Sequence, residues 1–215
     1  MTKAVILSAI AICLGTNLSA QTSSADEDIE RKPNWGFSAD FFLGYGTFTG
    51  DLREKYKGYV PLGVGLDLSY RKIALHGTIT GGFSRTKVDI PYDTSIWKKK
   101  SWYEVITSGL SLGYVISEDA YHRLEPFGGL SFMYIGPSDN DDNLKDVVFD
   151  KATFYTLGFN LDIAGDAMKN DQSTLWFLRL RYTFNFQLAG ISHDTTLGNM
   201  HTLTLGVGFL TKRFK

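Results

Sequence analysis

From residue 34 onward, apolar side chains recur at every second position in eight stretches, with glycine, serine, threonine or a lone charge between them. A period of two is the mark of strands with unlike faces. The first stretch, Asn34 to Phe48, carries Trp35, Phe37, Ala39, Phe41, Leu43 and Tyr45 on one face and Gly36, Ser38, Asp40, Gly44 and Gly46 mostly on the other. The second sets Val60, Leu62, Val64, Leu66, Leu68 and Tyr70 against Gly63, Gly65, Asp67 and Ser69. Only Arg71 and Lys72 separate Tyr70 from Ile73. A two-residue hairpin loop keeps its flanking residues on one face. Ile73, Leu75, Ile79 and Phe83 therefore continue the apolar side, with His76, Thr78 and Thr80 behind it.

The remaining stretches repeat the scheme. Trp102, Ile106, Leu110, Leu112, Tyr114 and Ile116 oppose Thr107, Gly109, Ser111 and Gly113, and a less regular fifth sets Leu130, Phe132 and Tyr134 against Glu125, Gly129 and Ser131. The sixth has Tyr155, Leu157, Phe159, Leu161 and Ile163 against Thr156, Gly158, Asn160 and Asp162. In the seventh, Trp176 to Phe186 alternates with Arg179, Arg181, Thr183, Asn185 and Gln187; in the eighth, Leu203 to Phe209 alternates with Thr202, Thr204, Gly206 and Gly208.

Alternation alone does not say which face is inside. A soluble lipocalin-type barrel has the same period with its apolar side inward. Here the polar face is dominated by Gly, Ser and Thr, whereas a solvated exterior is rich in Lys and Glu. Small residues suit the cramped bore of an eight-stranded barrel. The aromatics also segregate by height when strands alternate up and down from a periplasmic N-terminus. Trp35, Tyr70, Tyr114 and Trp176 fall near one rim, and Tyr45, Phe83, Trp102, Tyr134, Tyr155 and Phe186 near the other. Amphipathic rings occupy both water–lipid interfaces in this way. The sequence therefore predicts an all-β fold: an eight-stranded antiparallel up-and-down transmembrane β-barrel over residues 34–215. Outer loops would be 49–58, 85–100, 137–151 and 188–199, and inner turns 71–72, 117–123 and 165–174. The last is long for a periplasmic turn.

On this pattern the chain resembles the small outer-membrane barrels of the OmpA and OmpX type. The segment Arg123-Leu124-Glu125-Pro126-Phe127-Gly128-Gly129 and a mature chain starting at Gln21 are similar to β-barrel domains common in Bacteroidota. The resemblance implies a bacterial outer-membrane address, contact with the outer-membrane assembly machinery during biogenesis, and recognition of an aromatic at or near the C-terminus. Here Phe214 is followed by Lys215 and lies out of phase with Phe209.

The N-terminus agrees with export. Residues 1–20 read as a signal peptide: Lys3, the apolar run Ala4 to Leu14, and Leu18-Ser19-Ala20 before Gln21. That run is too short to span a bilayer as a helix. Residues 21–33 (QTSSADEDIERKP) read as a disordered periplasmic lead-in. Cys13 is the one cysteine and lies in the leader, so the mature chain is expected to hold no disulfide or Cys-based metal site. The leader takes Lys3 with it, leaving 21 basic against 23 acidic residues, and no basic block suggests nucleic acid.

Asp40, Asp67, Glu125, Asp162, Arg179 and Arg181 fall on the inner face, where they are expected to pair across the bore; His76 beside them is expected to be a hydrogen-bonded neutral ring. Ser192, His193 and Asp194 are the residue types of an acyl-transfer triad in an outer loop, but side chains adjacent in sequence diverge, and the His-x-Ser motif of the PagL-type deacylases is absent. Asp139, Asp141 and Asn143 suggest a weak cation loop, yet Leu144 stands where a calcium loop needs glycine. Trp97, Lys98, Lys99 and Lys100 would meet lipid headgroups and lipopolysaccharide phosphates. No cofactor is implied, and the expected state is a monomer with a structural or surface-interaction role. The alternatives are a lipid A-modifying acyl hydrolase or transferase of the same fold, or a barrel subunit of an export or adhesion assembly.

Overall fold

The computed structural model describes residues 35–92, 95–118, 121–138, 148–165, 174–187 and 198–213. The signal peptide and lead-in expected over residues 1–33 lie outside the described residues. In chain order the elements are β1 (Trp35–Phe48), α1 (Gly50–Lys55), β2 (Val60–Tyr70), β3 (Ile73–Arg85), β4 (Ile90–Tyr92), β5 (Ser95–Trp97), β6 (Trp102–Tyr114), β7 (Ser117–Glu118), β8 (His122–Pro137), β9 (Asp150–Ala164), β10 (Thr174–Phe186) and β11 (Met200–Arg213).

Eight long strands pair antiparallel in the ring β1-β2-β3-β6-β8-β9-β10-β11, and β11 returns to β1. Closure leaves none of these strands with an open edge. Register partners can be followed once around: Phe37 to Leu68, Leu75, Leu112, Gly128, Leu157, Phe184, His201 and back to β1 at Thr47. The circuit ends 47 − 37 = 10 residues along β1. For eight strands at ordinary spacing this stagger tilts each strand by roughly 40° from the barrel axis.

The apolar residues face outward all the way around. Phe41 is 71% exposed, Leu110 59% and Leu205 57%, while Asp40, Asp67, Asp162 and Arg179 point inward and are buried. Water would not tolerate so continuous an apolar belt, and hydrocarbon would. Trp35 and Tyr45 stand 45 − 35 = 10 residues apart on the outer face of β1. At about 3.3 Å per residue and the tilt above, they bracket a band about 25 Å tall, the height of a membrane barrel's apolar zone.

Three connections differ from the sequence expectation. β8 is longer and more regular than the fifth stretch, beginning at His122 inside the expected turn 117–123, where β7 also pairs with it. β9 begins at Asp150, inside the expected loop 137–151. The expected loop 85–100 holds the β4–β5 hairpin. Extra ladder bonds satisfy backbone groups that a loop would leave to water.

The bore is filled in layers. At the end of the barrel that carries α1, the inward positions turn apolar: Phe48, Tyr59, Val105, Met133, Ile135, Phe154 and Met200 pack beneath Leu52 and Tyr56 from the α1 segment. Gly50, at φ 61, turns the chain from β1 into α1, a conformation that suits glycine. Thr49 then ties this segment to β11, its amide donating to the Asn199 carbonyl at 2.8 Å and its hydroxyl accepting from the Asn199 amide at 3.1 Å. The opposite half of the bore holds charge.

Candidate functional site

Cross-strand register brings the charged side chains together. Arg179 faces Asp162, Arg181 faces Asn160, and His76 faces Asp67, each directly opposite on the neighbouring strand. Arg179 lies at the centre and is 2% exposed. Its Nε donates to Asp162 Oδ1 at 2.6 Å and its Nη2 to Asp162 Oδ2 at 2.9 Å, a bidentate fork. Its Nη1 donates to Asp40 Oδ1 at 2.9 Å and Asp67 Oδ2 at 2.5 Å. Ser38 Oγ donates to the same Asp67 oxygen at 2.8 Å.

A second group joins the first through His76. Its Nδ1 is 2.6 Å from Asp67, and its Nε2 is 2.5 Å from Glu125 Oε1, close but off the hydrogen-bond line. Glu125 also accepts from Arg123 and, at 3.3 Å, from Asn160 Nδ2. A ring with a carboxylate at each nitrogen suits the double donor rather than the neutral ring expected from the sequence. Glycine makes the space: a Cβ at Gly113 would sit 2.5 Å from His76 Nε2, and one at Gly65 would sit 2.6 Å from Asp40 Oδ1.

This arrangement joins β1, β2, β3, β8, β9 and β10 through charge-assisted bonds across the bore. Buried ion pairs contribute little net stability, because desolvation offsets attraction, yet each acid has its partner only in this register. The group holds no nucleophile set against a base and an oxyanion donor, the geometry that acyl transfer requires.

The chain is similar to small outer-membrane proteins. It is 13% identical to the N-terminal β-barrel domain of OprF from Pseudomonas aeruginosa, with 81% of this chain and 96% of that one covered and a TM-score of 0.47. Against Neisserial surface protein A the identity is 13%, the coverage 82% and 96%, and the TM-score 0.48. Against Ail, the attachment invasion locus protein of Yersinia pestis, in complex with the heparin analogue sucrose octasulfate, the identity is 14%, the coverage 82% and 98%, and the TM-score 0.43. No family model and no curated protein matches the chain. The barrel stands on this chain's own strand pairing and closure.

The aromatic candidates all lie on the outer face. Trp35, Tyr45, Tyr70, Trp102, Tyr114, Tyr155 and Trp176 are exposed, and Tyr134 is half-buried. Trp35 and Tyr70 pack ring to ring at 4.8 Å. Trp102 pairs with Arg85 at the far end of β3, its indole beneath the guanidinium at 4.6 Å. Trp97 is half-buried and packs onto the apolar cap, 5.6 Å from the Phe149 ring, while Lys98, Lys99 and Lys100 are exposed. Its large apolar ring is better covered by the cap than left in the loop. Ser192, His193 and Asp194, and likewise Asp139, Asp141 and Asn143, lie outside the described residues.

Sequence reasoning missed two participants and one layer. The expected turn 117–123 takes in Arg123, although this residue shares the inward parity of Glu125, and Asn160 stands on the inner polar face with no partner named for it. The apolar cap was not foreseen, though apolar residues on both faces at strand ends, as in Phe132-Met133-Tyr134-Ile135, carry its signal. Within the cap, Tyr56 donates to Asp150, which also pairs with Lys55 at 3.1 Å. Burial, with the Asp150 charge beside it, raises the Tyr56 phenol well above its usual value.

Proposed function

We propose that this protein is a non-enzymatic scaffold of the bacterial outer membrane, monomeric, which displays a structured cap at the cell surface. The observation that carries this reading is the blocked bore: a salt-linked layer below and an apolar layer above close the barrel's interior at two levels. Under this reading the N-terminus is periplasmic after removal of the leader, and the assembly machinery inserts the barrel. Work at the surface then falls to the capped end.

That end favours contact with anionic lipid. The α1 segment and the β4–β5 segment are stitched together: Lys57 N donates to the Arg85 carbonyl at 3.3 Å, and Lys87 N to the Lys55 carbonyl at 2.7 Å. Arg53, Lys57, Arg85, Lys98, Lys99 and Lys100 are exposed along this edge. Cations at headgroup height suit the phosphates of lipopolysaccharide. The exposed lysines support a surface role through headgroup contact.

Membrane fractionation with gel mobility before and after boiling tests the reading. The protein is expected in the outer-membrane fraction, with a compact form that slows on heating. Recovery as a soluble periplasmic protein would overturn it. In a deletion strain, altered lipid A acylation by mass spectrometry would favour the enzyme instead.

A further inference from the structure

Between the salt-linked layer and the apolar cap lies a cavity of about 60 Å³. One water needs roughly 10–15 Å³ of such space, so the chamber holds several. Its wall mixes apolar side chains, Phe42, Phe127 and Met200 among them, with the hydroxyls of Thr78, Thr183, Thr202 and Thr204, and Arg181 and His76 lie at its base. These threonines point inward like the acids of the layer below, but Thr78 and Thr183 keep appreciable exposure because they face this space. No carboxylate lines the chamber among the described residues.

Arg181 is the unusual member. It is 5% exposed, its Nε donates to Asn160 Oδ1 at 2.8 Å, and neither Nη1 nor Nη2 has a hydrogen-bond partner. The nearest carboxylate oxygen, Asp40 Oδ1, is 3.9 Å from Nη2 and is already held by Arg179. The Phe42 and Phe127 rings flank the guanidinium at 5.6 and 5.9 Å from their centroids, which leaves its edge for hydrogen bonding. Thr204, directly opposite Arg181 on β11, also has an unpartnered hydroxyl. A buried guanidinium does not leave four N–H groups bare without large cost.

We propose that the chamber is a binding site for a small monovalent inorganic anion of the chloride class, held by the Nη edge of Arg181 and the Thr204 hydroxyl, with water filling the rest. The anion completes a guanidinium whose Nη edge lies within ion-pair distance of Asp40 but has no hydrogen-bond partner among the described residues. This assignment rests on the bore itself and is independent of what the cap binds.

The barrel, refolded and crystallised with sodium bromide in place of chloride, is expected to show an anomalous peak within hydrogen-bond reach of Arg181 Nη and Thr204 Oγ1. A chamber filled only by density without anomalous signal would overturn the proposal. In parallel, the temperature at which gel mobility shifts is measured in chloride and in gluconate at equal ionic strength, gluconate being a bulky polyhydroxy carboxylate rather than a small inorganic anion. The wild type is expected to unfold at a higher temperature in chloride, and Arg181→Gln to lose that difference. Equal wild-type midpoints in the two salts would contradict the site, and that result does not depend on whether the variant folds.

Discussion

Removing the Arg179 guanidinium would leave Asp40, Asp67 and Asp162 facing one another with Arg181 as the nearest remaining guanidinium. Breaking a buried pair from one side costs about 3–5 kcal/mol, far more than the pair contributes while intact. Arg179→Met is therefore expected to lower the folding free energy into lipid vesicles by about that amount in a urea titration. A loss under about 1 kcal/mol would mean that the carboxylates are hydrated rather than paired. Much of this layer could be read from the chain, because Asp40, Asp67, Asp162, Arg179 and Arg181 interrupt an otherwise small-residue face at matching parity. The partner assignments could not. Whether Asp67 meets Arg179 or His76, or both, depends on the stagger of strands, and parity fixes a face without fixing a height.

At the scale of elements, α1 and the ends of β6, β8 and β9 form a small apolar core at one end of the barrel. Tyr56 gives this core a pH limit. Its phenol is raised above the ordinary value of about 10 by burial and by Asp150. The folded state thus holds the phenolic proton more tightly than the unfolded state. The resulting stability is complete below about pH 10 and is lost as pH rises beyond it. Protease cleavage within the α1 segment is expected to rise steeply above that pH in the wild type and less steeply in Tyr56→Phe, which has no proton to lose. Identical pH profiles would show that the Tyr56–Asp150 contact does not hold the cap. The cap escaped the sequence reading because its residues continue the strands. Tyr103 and Val105 alternate with Trp102, Glu104 and Ile106, so the inward face turns apolar while the outer one takes a charge, and the small-inside, apolar-outside pattern fails where β6 enters the cap.

For the molecule as a whole, the exterior belt decides everything else. The eight strands were recoverable from sequence because a lipid-facing surface tolerates almost no polar interruption, which makes its alternation unusually clean. The stagger of ten residues was not recoverable, since it emerges only when all the pairings close. A charge placed on the belt should be costly in proportion to depth. Leu205→Arg, near the middle of the band, is expected to destabilise the barrel in vesicles by about 2–4 kcal/mol, whereas a solvated surface would absorb the change. The most direct measurement is collision accessibility of nitroxide labels introduced singly at Leu66, Leu110 and Leu205 in reconstituted bilayers. The account predicts high accessibility to oxygen, which partitions into hydrocarbon, and low accessibility to a water-soluble nickel chelate at all three positions. High accessibility to the chelate at these sites would contradict it, because the greasy face would then be turned toward water.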